Sequence, residues 1–154
     1  LRMPTLYCFK PLKFKNKKQK QKYNRLVHNV KMTLPIAKEV NRAIIETYEF
    51  LQTLPNEKAR EKHLQAVEKS VKEQYTPRMK KLTFSQGKLL IKLINRETDS
   101  SSYELVKAFL GPFKAGFYQA FAAIFGASLK KEYHPEGEDA MVEQIVLLVE
   151  SGQI

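Results

Sequence analysis

The chain of 154 residues is 43% hydrophobic and 28% charged, a balance that excludes a disordered tail and lets one domain bury its own core. No apolar run reaches the roughly 18 residues of a membrane-crossing helix, and a single cysteine, Cys8, excludes an internal disulfide, a Cys-x-x-Cys redox pair and a multi-cysteine zinc site. The net charge of +11 is concentrated at one end: residues 1–42 hold twelve Lys and Arg against Glu39 alone, and residues 43–154 sum to zero.

In chain order, the first segment is Leu1 to Phe14, where Pro4 and Pro11 bracket a run rich in aromatics. That pattern predicts an extended arm or a short edge strand over 1–14. Asn16 can cap a helix, and Tyr23, Leu26, Val27, Val30 and Leu34 then repeat with the period of one helical face, leaving most lysines on the other. Pro35 lacks an N–H and predicts a kink or interruption, after which Ala37, Val40, Ile44, Tyr48 and Leu51 continue the stripe. The result is a helix, or a broken pair, over about 17–53. Asn56 opens the next helix, with Leu64, Val67, Val71 and Tyr75 on its apolar side and Pro77 ending or bending it.

Thr83 or Ser85 can cap a third helix whose Leu89, Leu90, Ile91, Leu93 and Ile94 cover most of its circumference. This predicts the central buried helix. A polar turn over Thr98–Ser102, a short helix over Tyr103–Leu110 and a stop at Gly111-Pro112 follow. Phe113, Phe117, Phe121 and Phe125 then recur every fourth residue beside Ala115, Gly116, Ala120, Ala122 and Ala123, a mixture suited to close helix–helix contact. Gly126 caps that helix, Tyr133–Gly137 make a turn, and Met141, Val142, Ile145, Val146 and Val149 mark a last amphipathic helix. There is no repeat of fixed period. The fold class is mainly α: one multi-helix domain over 15–154 behind an arm over 1–14.

No Gly-rich phosphate loop, His-Glu-x-x-His or Gly-x-Ser-x-Gly pattern is present, and His28, His63 and His134 lie far apart in sequence. No catalytic residue, metal or cofactor is therefore assigned. His134, Glu136, Glu138, Asp139 and Glu143 offer oxygen and imidazole ligands, but a solvated helix start, with carboxylates favoured by the helix dipole, accounts for the same residues. Ser85-Gln86-Gly87 lacks an identifiable base, and serine is a good cap. Asn95, Arg96 and Glu97 could line a cleft, yet Arg–carboxylate pairs more often tie helices together. Ser85, Gln86, Arg96 and Glu97 make up the candidate polar cluster.

The candidate anion- or partner-binding residues are Lys13, Lys15, Lys17, Lys18, Lys20, Lys22 and Arg25, with Tyr7, Phe9, Phe14 and Tyr23 among or beside them. Cations that meet phosphates and rings that stack on bases suit nucleic acid. The same rings also dock an arm on its own core, so an anionic envelope polymer, a lipid head group or an acidic protein is favoured.

The strings LKFKNKKQKQKYNRLVHNVK, LTFSQGKLLIKLINRET, SSYELVKAFLG and LKKEYHPEGEDAMVEQIV together resemble a family of uncharacterised Bacteroidota proteins catalogued as a domain of unknown function. The likeness covers about residues 11–153. Its most specific part is Leu82-Thr83-x-Ser85-Gln86-Gly87, followed by Lys92-Leu93-Ile94 and Arg96-Glu97-Thr98. The resemblance implies a secretory leader and export to the periplasm or cell envelope, which the start at Leu1 fits as a mature chain. It brings no catalytic assignment. This chain departs from the family pattern in having His134 in place of Asp, which further weakens a metal role there, and Tyr118 in place of a larger aromatic.

Together these features lead to the expectation of a non-enzymatic helical adaptor or interaction protein of the bacterial cell envelope. Its partner would be an anionic envelope component or another envelope protein. An envelope hydrolase using the acidic residues Glu97 or Glu136–Asp139 is the alternative enzyme reading, and a nucleic-acid-binding protein is the other.

Overall fold

The computed structural model describes residues 5–99, 110–126 and 133–154. Two asparagines start the first two helices. Asn16 Oδ1 accepts the Gln19 N–H at 3.0 Å and Asn56 Oδ1 accepts the Ala59 N–H at 2.8 Å, satisfying donors that a helix start leaves free. From them run α1 (Lys17–Leu51) and α2 (Glu57–Met79). The third helix, α3 (Phe84–Asp99), begins with a reciprocal capping box: Thr83 Oγ1 accepts the Gln86 N–H at 3.2 Å while Gln86 Oε1 accepts the Thr83 N–H at 3.0 Å. Thr83, not Ser85, is the cap. Next come α4 (Leu110–Phe125) and α5 (Ala140–Glu150), and among the described residues there is no strand.

Pro35 does not interrupt α1. It stands inside the helix on an exposed position, while Val30, Leu34, Ala37, Val40 and Ile44 on either side are all buried. The one backbone bond that proline removes is outweighed by this continuous apolar stripe, which needs both halves in line. Pro77 falls within the last turn of α2, which ends at Met79. Thr98 and Asp99, expected in a turn, complete α3. Gly111 and Pro112, expected as a stop, lie in the first turn of α4, where a missing N–H costs little. Apart from Leu110, the expected helix over 103–110 lies outside the described residues.

The described part of the arm, residues 5–14, forms neither helix nor strand. Its Tyr7 is held at both backbone groups by one side chain: the Tyr7 N–H donates to Gln153 Oε1 at 2.8 Å, and Gln153 Nε2 donates to the Tyr7 carbonyl at 2.8 Å. A terminal carboxamide thus takes the place of a neighbouring strand.

α3 is the central helix. Leu89, Leu90, Ile91, Leu93, Ile94, Asn95 and Thr98 are all buried, with α1 along one side and α4 against another, while α2 pairs with α4 and α5 packs on α1. Small residues set the spacing. A Cβ on Gly116 would lie 2.8 Å from Val71 Cγ1 and 2.9 Å from the Glu68 carbonyl, so α4 approaches α2 more closely than any side chain would permit. Gly87 makes room for Phe121 and Phe125, whose rings lie 4.9 Å apart and meet Phe84 at 5.6 Å (tilted) and 5.5 Å (edge-on) between centroids.

Leu90→Ala is expected to cost about 2–5 kcal/mol through lost burial and a residual cavity, and Gly116→Ala about 1–3 kcal/mol through overpacking. Urea unfolding of both variants checks this. A Leu90→Ala loss well under 1 kcal/mol would place α3 at the periphery.

Candidate functional site

Two charged regions stand apart in the structure. The first is a half-buried ion network where the second half of α3 meets the 133–139 turn, α5 and α1. Arg96 is its centre. Its Nε and Nη2 donate to the two carboxylate oxygens of Glu143 at 2.7 and 3.1 Å, Nη1 donates to Glu97 at 2.7 Å, and Nη2 also lies 3.1 Å from Glu150. Lys38 of α1 adds contacts to Glu97 and Glu150, each at 3.3 Å, and the Tyr133 hydroxyl donates to Glu143 at 2.6 Å. One turn earlier on α3, Lys92 donates to Asp139 at 2.7 Å. The other oxygen of Asp139 accepts the His134 N–H at 2.9 Å, which closes the turn that leads into α5.

At Glu143, Arg96 and Lys92 burial opposes charge, and pairing overrules it. Burial disfavours ionised Glu143, but the Arg96 and Tyr133 hydrogen bonds lower its pKa from the ordinary value. For Arg96, burial works against the cation, yet Glu143, Glu150 and Glu97 raise its pKa. Lys92 is raised in the same way, against burial, by Asp139 and Glu138. Tyr133 is raised by burial first and then by donating to Glu143. A carboxyl meant for acid–base catalysis needs a pKa moved toward neutrality and an open path to substrate; Glu143 moves the other way and is gripped by a guanidinium fork.

The second region is the basic end. Lys13, Lys15, Lys17, Lys18, Lys20, Lys22 and Arg25 are all exposed, and none of the ion pairs among the described residues involves any of them. Asn16, Gln19 and the Phe14–Tyr23 ring pair, with centroids 5.5 Å apart, fold the arm back beside the start of α1. Between them opens a shallow groove lined by Leu12, Phe14, Tyr23, Leu26 and Met141 together with Lys13 and Lys22.

The proposed polar cluster is therefore divided. Gln86 belongs to the first turn of α3, where its Nε2 also donates to Asn29 of α1 at 3.0 Å, and Ser85 is exposed beside it. Arg96 and Glu97 lie at the other end, about 15 Å along the helix by its rise of about 1.5 Å per residue. Glu136 and Glu138 are exposed, whereas Asp139 is buried against Lys92. Asp139 and Glu143, grouped in the sequence as possible ligands, are drawn to different cations, and among the described residues no three His, Cys, Asp or Glu are placed to hold a metal ion together. The partners that sequence spacing misses are Tyr133, Glu150 and Lys38, each brought to the network by tertiary packing.

A family model described as Domain of unknown function (DUF4294) matches residues 1–148, and the chain belongs to that family. No curated protein and no solved structure matches the chain.

Glu143, held low in the folded chain, contributes stability above the unfolded carboxylate range and loses it as pH falls. Tyr133 and Lys92, held high, contribute below their unfolded values and lose it as pH rises through the alkaline range, while Arg96 stays charged throughout. Arg96→Ala is expected to cost about 3–5 kcal/mol at neutral pH and to flatten the acid limb, read by urea unfolding between about pH 4 and 7. A variant as stable as wild type would show that the network holds nothing together.

Proposed function

We propose that this member of the family is a non-enzymatic helical adaptor of the bacterial cell envelope, which meets an anionic partner through its basic N-terminal end. One observation carries the reading. The excess positive charge lies at the N-terminal end, where seven cations are exposed and take part in no ion pair among the described residues, whereas Lys38, Lys92 and Arg96 pair with carboxylates that tie helices together. Like charges gathered in this way repel one another and stabilise the fold little. Neutralisation by an external polyanion relieves that repulsion. Envelope placement rests on the export leader that the family resemblance implies.

The hydrolase alternative has less support, because Glu97 and Asp139 are paired with cations inside the body and Glu136 stands exposed on the turn. The nucleic-acid alternative needs open aromatic faces, and those of the arm are paired with each other: Tyr7 on Phe9 at 6.3 Å and Phe14 on Tyr23 at 5.5 Å.

Joint reversal of Lys17, Lys18, Lys20 and Lys22 to Glu is expected to abolish binding to anionic vesicles or glycans and leave the thermal melt nearly unchanged. Wild-type affinity should fall steeply with salt, each neutralised charge contributing to the slope. Binding that survives the reversal would remove the electrostatic account.

A further inference from the structure

We infer that the anionic partner is the surface of a lipid bilayer, contacted by the arm and the first turns of α1 together. This rests on the proposed anionic contact and adds the chemistry of what bears the charge. The same short stretch that carries these cations also carries Leu6, Phe9, Leu12 and Phe14, four of the nine large apolar side chains that are exposed among the described residues. Leu6 is the most open of them, at 72%. Water is a poor environment for such side chains, and interspersed lysines keep them soluble until an apolar medium is offered.

The groove beside α1 has the same two-part character. Leu12, Phe14, Leu26 and Met141 give it an apolar lining, and Lys13 and Lys22 line it as well. Head-group phosphates would meet the lysines and the upper acyl carbons would meet the lining. A soluble polyanion offers nothing to the leucines and the methionine, which have no flat face on which a base could stack. Short apolar anchors or a polybasic patch hold a protein weakly when acting alone; stable attachment takes both signals, and both are present within one segment. The arm is also fixed in place for the purpose, with Gln153 holding Tyr7 and Tyr23 holding Phe14.

The test is co-sedimentation of the 154-residue chain with vesicles of phosphatidylcholine alone and of phosphatidylcholine with phosphatidylglycerol. Inorganic polyphosphate and a single-stranded oligonucleotide serve as soluble polyanions. The mixed vesicles are expected to bind most tightly. Leu12→Ser with Phe14→Ser, which keeps every charge, should weaken vesicle binding by about tenfold or more and leave polyphosphate binding within about twofold of wild type. Leu6→Ser, remote from the core, repeats the test should the double variant lose its fold. Apolar variants that bind vesicles like wild type, or an oligonucleotide bound as tightly as the mixed vesicles, overturn the lipid assignment. Binding to soluble polyanions without binding to vesicles overturns it too and leaves the anionic contact standing. Failure to bind any of the probes removes both.

Discussion

Arg96 is the point at which three helices and a turn become one body. Its fork grips Glu143 on α5, its third nitrogen holds Glu97 on its own helix, and through Glu97 and Glu150 it shares carboxylates with Lys38 of α1. Tyr133 reaches the same Glu143 from the turn before α5. A guanidinium suits this position because its donors lie in a rigid plane and leave it in several directions at once. α5 buries only Val142, Ile145 and Val146 below the exposure of a core residue, so a short helix with a narrow apolar face depends on these polar ties to hold its place.

The rest of the architecture divides between apolar packing and charge. α3 supplies the core, with α1 and α4 against it, and glycines at 87 and 116 let rings and backbones approach where a Cβ would collide. Polar ties then close the ends. Gln86 both completes the capping box of α3 and reaches Asn29 on α1, while Asp139 gives up capping α5 to bind Lys92 and the His134 N–H. The net positive charge is concentrated in the arm and the first part of α1, while residues 43–154 carry cations and carboxylates in equal number.

Much of the fold was legible in the sequence because its signals are local. Asn16, Asn56 and Thr83 act as caps within three residues of their targets, and the stripe Leu89–Ile94 announced a helix buried on most sides. Pro35 misled because local chemistry argues for a break while the benefit of continuing is tertiary: Val30 and Ile44 belong to one core. Between the extended arm and the edge strand that the sequence left open, local pattern could not choose, since the partner of Tyr7 is a side-chain amide at the far end of the chain. Ion pairing of Arg96 and Glu97 followed from residue type alone, but Glu143, Tyr133, Glu150 and Lys38 could not be assigned to it, because nothing in spacing links residues so far apart. The basic end was visible as composition; the groove between arm and α1, with Met141 contributed from α5, needed the fold.

The Arg96 network holds α5 and its preceding turn on the body. Amide hydrogen exchange of Arg96→Lys probes this directly, since lysine keeps the charge and loses the fork. Exchange across 133–150 should accelerate by about tenfold or more, with the amides of α2 and α4 at wild-type rates, the signature of one locally released unit. Wild-type protection of α5 in that variant would contradict the claim and assign the position of this helix to apolar packing alone.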